Sequence, residues 1–287
     1  MRERFDILKR VLSLDPKRDC QEIVFLVGAY EYPFLMQKAL EFALFRTYAV
    51  PSIGALLDHT RQFYAHGQRR YDDTSLLIAE FVQHGYDSER GRQAIAQMNR
   101  QHRRYSISND DFLYVLGAFI FTPIDWHARW GWRKPTTHET RANFYFWCEI
   151  GKRMNMRDIP ATFEAYEAFF RAYEREHFRH TPASRRVADA TIDVFLSWYP
   201  RWLHPLIRQG IYTMMDDPLR EAFGYPKAHV LARAGVWLGL KGMAAYLRYL
   251  AFPRKKPFLL TEQYNRSYPH GYAIEDLGAD NAPAKNA

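Results

Sequence analysis

The sequence predicts an all-α protein, and three observations carry that reading. Apolar residues recur at three- and four-residue spacing. No stretch alternates with a period of two. Polar cap residues followed by Pro or Glu punctuate the chain at intervals that suit helices of ordinary length.

Taken in order, Asp15 and Pro16 form a helix start, a cap followed by Pro at the first position. The apolar run behind them reaches Gly28, and Pro33 interrupts or restarts it. Residues 34–47 (FLMQKALEFALFRT) are apolar on most sides and predict a buried helix. Pro51 opens a shorter helix carrying Ile53, Leu56 and Leu57. The next spans 72–84, with Leu76, Leu77, Phe81 and Val82 on its inner face, and Asp72 and Asp73 favouring its N-terminus electrostatically. Asp87 or Ser88 caps a helix reaching Arg104, with Ile95, Met98 and His102 in one stripe. Ser108 with Asp111, and Thr136 with Glu139, make capping-box-like starts for helices over 112–121 and up to Met154. Further helices fall at 160–178, 184–198 and 227–250. Residues 271–287 drift into acidic, Pro- and Ala-containing sequence and read as a loose tail. No repeat or linker divides the rest, so residues 1–270 read as one domain of ten to twelve helices.

The 287 residues are 47% apolar and 16% aromatic, enough to bury a substantial core or an apolar ligand. Cys20 and Cys148 are too few and too far apart for a metal motif or a disulfide framework, which fits a reducing compartment. The N-terminus carries charges throughout, without a signal-like apolar run, and no stretch of about 18 residues is free of charge. A cytoplasmic protein is expected. The net charge of +8 is uneven: residues 201–260 hold ten Lys or Arg against three acids. That stretch suits peripheral contact with an anionic membrane at its inner face better than nucleic acid, for which no module is present.

Three polar residues stand out against this helical background. His102 ends an apolar stripe, where an imidazole can ligate a metal or haem iron, or can simply be a core histidine satisfied by a backbone carbonyl. Arg70 and Thr74 share a helical face and could hold an anion or an oxygen-bearing group. The alternative is an arginine in solvent and a threonine bonded to its own helix. A carboxylate-bridged di-iron centre needs two Glu-x-x-His elements, and only Glu174 with His177 supplies one. HExxH, phosphate-loop and GxSxG motifs are absent.

The order of features between about residues 35 and 130 resembles the family of latex-clearing protein, a rubber oxygenase, and the MpaB-type oxygenases. The resemblance comprises the Pro51 helix, the HTRQF segment at 59–63, Arg70-x-x-x-Thr74, His102 after an amphipathic helix, and DDFLYVLGAF from Asp110. It implies a globin-like fold of several helices holding haem b. His102 would be the proximal iron ligand, with Arg70 and Thr74 as the distal polar pair. Rubber-cleaving members carry a lysine immediately before the threonine and tend to carry an arginine three residues before the histidine. Here those positions are Asp73 and Asn99, which points away from polyisoprene. The function expected is a haem-dependent oxygenase using O2 on an apolar, lipid-like or isoprenoid small molecule. The alternative is a non-catalytic helical protein that binds an apolar ligand or docks at a membrane.

Overall fold

Prolines and short polar caps set most of the helix starts. The computed structural model describes residues 3–278, and among them lie thirteen α-helices and no β-strand. They are α1 (Asp6–Leu12), α2 (Cys20–Leu26), α3 (Pro33–Thr47), α4 (Pro51–Thr60), α5 (Gln62–His84), α6 (Glu89–His102) and α7 (Asn109–Trp130). There follow α8 (Thr137–Arg153), α9 (Phe163–His177), α10 (Pro182–Ser197), α11 (His204–Met214), α12 (Asp217–Phe223) and α13 (Val230–Tyr249). Pro stands in the first turn of α3, α4, α10, α11 and α12, where its missing N–H costs nothing. Ser88 and Ser108 accept N–H bonds of 2.9 and 3.0 Å at the starts of α6 and α7, and Thr136 with Glu139 forms a full capping box on α8.

Several boundaries differ from the sequence reading, each for a physical reason. Asp15 caps a turn instead of a helix, accepting from the N–H groups of Lys17 and Arg18, and α2 begins only at Cys20. After Leu26 the chain widens into a π-helical turn, Val27–Glu31, before Pro33 restarts it. Helix α5 begins ten residues before Asp72, so Asp72 and Asp73 are buried mid-helix and do not serve its N-terminus. Arg61, left-handed at φ 53°, separates α4 from α5, and a kink at His66 bends the first turns of α5. Helix α7 runs on through Pro123, where Asn143 Nδ2 donates to the buried Ile120 carbonyl at 3.0 Å beside the break. Helices α11 and α12 lie in a stretch that the sequence had not resolved into elements.

Helix α3 lies against α7 at the centre, while α2 packs on α8, α5 on α6, and α10 on α4. The last contact is close. A Cβ on Gly54 would stand 2.3 Å from Ser184 Oγ, so only glycine admits α10 there. The main core gathers buried side chains from α1 to α9, including Leu76, Phe81, Tyr114, Ile120 and Phe146. A second cluster holds Phe45 and Tyr48 against Ile192, Leu219 and Phe223. The all-α class is therefore met by two apolar cores, each closed by aromatic packing.

Residues 257–278 run back over α5 and α6 as a strap. Phe258 N–H donates to Ala29 O at 2.9 Å, Ser267 Oγ to Asp72 at 2.5 Å, Tyr268 OH to Asp73 at 2.5 Å, and Tyr272 OH to Glu80 at 2.5 Å. Ile274 and Leu277 are buried, and Gln97 Nε2 donates to the Leu277 carbonyl. Residues 271–278, read from the sequence as the start of a loose tail, are thus packed. The rest of that tail, 279–287, lies outside the described residues.

Candidate functional site

Between α3, α4, α5, α6, α7 and α10 lies a cavity of about 380 Å³. Its wall is mostly apolar, with Met36, Leu40, Leu44, Val115, Phe119 and Trp147 among its lining. That size and character suit a prosthetic group or small molecule, for which pockets of roughly 300–1,000 Å³ are usual. The strap contributes Phe258, Leu260 and Gly278, so the cavity wall is completed by the far end of the described chain.

Arg70, Thr74 and His102 all line this one cavity, although Arg70 and His102 are on different helices. Arg70 Nη1 donates to Thr74 Oγ1 at 2.5 Å, and Thr74 Oγ1 donates to the Arg70 carbonyl at 3.0 Å. The threonine proton is therefore spent on its own helix, while its lone pair holds the guanidinium in place. Arg70 forms no salt bridge among the described residues, and its charge acts on the nearby Asp73 and His102 through space.

His102 closes the last turn of α6, its ring edge-on to Phe112 with centroids 5.4 Å apart. Its Nδ1 is shut off from solvent and has no hydrogen-bond partner. The backbone carbonyl that a merely structural histidine would use is missing. Burial lowers the His102 pKa to about 4, and the nearby Arg70 charge pushes the same way, so the imidazole is neutral near pH 7. Among the described residues it is the only histidine on this cavity. His59 and His84 are exposed, His66 sits at the α5 kink, and none of them lines the wall.

Two departures from the resembling family turn out to be structural. Asp73 faces the strap, accepting from Tyr268, and burial pushes its carboxyl pKa up. Asn99 donates to the Arg153 carbonyl at 3.0 Å. Neither lines the cavity. The sequence reading had passed over a second polar group that does. Tyr71 OH donates to Glu41 at 2.6 Å and accepts from Gln37 at 3.1 Å, and all three residues line the wall. The available signal was a polar pair one helical turn apart, Gln37 and Glu41, within the largely apolar α3.

An imidazole whose Nδ1 is shut off without a partner fits a macrocycle-held iron, which needs only one or two axial ligands from protein. Among the described residues no cluster of three or more His, Cys, Asp or Glu could hold a bare metal ion. The donor set here, one neutral imidazole in an apolar chamber, is of the first kind.

The profile described as "ER-bound oxygenase mpaB/B'/Rubber oxygenase, catalytic domain" matches residues 31–249. The chain belongs to this mpaB and rubber oxygenase family. It is 31% identical over 243 residues to "ER-bound oxygenase mpaB'" of Penicillium brevicompactum, covering 78% of this chain and 57% of that relative. It is 32% identical over 213 residues to "ER-bound oxygenase mpaB" of Penicillium roqueforti (strain FM164), covering 68% and 72%. The chain thus spans little more than half the length of the first relative and nearly three quarters of the second. The family match runs from the last residue of the π-turn to the end of α13 and takes in α3, α4, α5, α6, α7 and α10 around the cavity.

Proposed function

We propose that this member of the mpaB and rubber oxygenase family is a haem-dependent oxygenase that uses O2 on an apolar, lipid-like or isoprenoid small molecule. The observation that carries the reading is His102 Nδ1, buried and unpartnered on the wall of a largely apolar cavity that also presents Arg70. His102 would hold the iron of haem b. Haem, when bound, supplies the redox chemistry of dioxygen, and the protein supplies orientation, electrostatics and exclusion of water.

In that division of labour each side chain has a defined task. His102 is neutral near pH 7, the form that has a lone pair to give. Arg70 directs N–H donors and a fixed positive charge into the cavity, where negative charge developing on a reacting oxygen is stabilised. Thr74 is a positioning residue, since its hydroxyl proton goes to the Arg70 carbonyl and its lone pair anchors the guanidinium. The apolar lining receives the substrate body and keeps water out. No single helix among the described residues is long and apolar enough to cross a membrane. Peripheral contact of residues 201–260 with an anionic membrane, at its cytoplasmic face, belongs to the same reading.

Absorbance tests the assignment directly. The protein expressed with ample iron and haem precursor should show a Soret band, and His102→Ala should lose it or release the cofactor readily while far-ultraviolet dichroism stays helical. His59→Ala, His66→Ala and His84→Ala should keep the band. An unchanged spectrum for His102→Ala would remove this ligand. A parent protein without haem would leave the cavity as an apolar-ligand site with no oxygenase chemistry.

A further inference from the structure

Helix α13 turns an apolar face to solvent. Residues 222–261 around it contain seven Lys or Arg and no Asp or Glu. Its inner side, with Ala244 buried and Val236, Leu240, Met243 and Leu247 half-buried, packs on α11 and α7. At 100° per residue, Leu231, Gly235, Leu238, Gly242 and Tyr249 fall within an arc of about 60° on the opposite side. Leu231 is 73% exposed, Leu238 63% and Tyr249 73%, and a Cβ on Gly235 or Gly242 would meet nothing within 4 Å. No charged residue shares this face. Lys241 and Arg248 lie along one flank but are turned to the protein, Lys241 Nζ donating to the Arg129 carbonyl at 2.5 Å and Arg248 Nη1 to the Trp132 carbonyl at 3.3 Å. Beyond the helix, Phe252, 87% exposed, precedes Arg254, Lys255 and Lys256.

We infer that α13 lies flat in an anionic lipid surface, with Leu231, Leu238, Tyr249 and Phe252 entering the acyl boundary and the exposed Lys255 and Lys256 at the headgroup phosphates. The inference rests on the membrane-contact part of the proposed function and assigns it to one helix face. An outward stripe of large apolar side chains is costly in water and is relieved at the interface. The acid-free run supplies charge complementarity toward anionic headgroups. The same charges disfavour the other simple occupant, a second copy, because pairing two such helices would bring like-charged flanks together. The face lies away from the cavity, so docking leaves His102 and Arg70 untouched.

The test is flotation of the full chain with vesicles of phosphatidylcholine alone and of phosphatidylcholine mixed with phosphatidylglycerol. The parent should float with the mixed vesicles and let go as salt rises. Leu231→Glu/Leu238→Glu, at positions that carry no core contact, should weaken partitioning by tenfold or more on the order-of-magnitude scale of interfacial insertion. Lys255→Ser/Lys256→Ser should weaken it by about fivefold per charge removed. If the leucine variant floats like the parent, α13 is not the inserting face, although contact through the cations stands. If the parent floats with neither vesicle, both the face assignment and the membrane reading fall. A dimer that Leu238→Glu dissolves would then name a second copy as the occupant. The Soret spectrum is independent of every one of these outcomes, so the oxygenase reading is judged separately.

Discussion

At the scale of single residues, two imidazoles with unpartnered nitrogens are instructive because only one is on a cavity. His102 Nδ1 and His127 Nε2 are both shut off without partners, and burial lowers both pKa values to about 4. His127 is stacked on Tyr32 at 4.7 Å and does not line the main cavity, so its cost is purely structural. The sign follows from proton counting. Below the ordinary histidine pKa of 6.5 the unfolded chain takes up a proton that the folded chain refuses until about 4, so stability falls as pH falls through that window. For His127 alone the loss approaches 3 kcal/mol as an order of magnitude. Urea unfolding at pH 7 and pH 4.5 should show a smaller drop for His127→Phe than for the parent. Turnover should separate the polar pair differently. Arg70→Ala should lower turnover on the order of a hundredfold with cofactor content unchanged, as loss of one donor to developing charge typically does. Thr74→Val should cost less, and Thr74→Ser should restore it, because only the anchor for the guanidinium is at stake. Equal losses for Arg70→Ala and Thr74→Val would mean that the threonine itself donates to the reacting group.

Among elements, the strap and the π-turn have the largest consequences. The strap satisfies three buried carboxylates of α5, Asp72, Asp73 and Glu80, two of them through tyrosine hydroxyls. Tyr268→Phe leaves Asp73 with one donor fewer and should cost about 1–3 kcal/mol, or several degrees in melting temperature. A strap that merely drapes over the surface would show no change on differential scanning. The π-turn carries Glu31, whose carboxyl is raised to about 7 because burial outweighs its pairing with Arg133. Here the proton count runs the other way. The folded state keeps a proton that the unfolded chain gives up near 4.5, so stability falls as pH rises from 4.5 to 7. Glu31→Gln should flatten that fall, and chemical denaturation across the range would detect it. Residues 27–33 also stand between two chambers. Gly28 and Ala29 line the large cavity, Tyr30 and Glu31 line a second of about 340 Å³, and Pro33 lines both.

On the whole-molecule scale, what was legible in the chain was local. Caps such as Thr136 with Glu139 and prolines such as Pro51 announce helix starts within four residues, and the structure has helices there. Arg70 and Thr74 could be paired from sequence because they are one helical turn apart. Their meeting with His102 on one cavity depends on α5 packing against α6, and the residue pattern alone carried only the resemblance for it. The role of Asp73 was out of reach, since its partner lies 195 residues away. The course of α7 through Pro123 was hidden for a similar reason, because Asn143, which meets a neighbouring carbonyl, comes from another helix. That same separation sets an order of assembly. Residues 257–278 leave the ribosome after every other segment of the cavity wall, and closing so long a loop is slow compared with helix formation. Until the strap docks, the cavity wall lacks Phe258, Leu260 and Gly278, and under the proposed haem reading that gap is the side by which a bulky prosthetic group would enter.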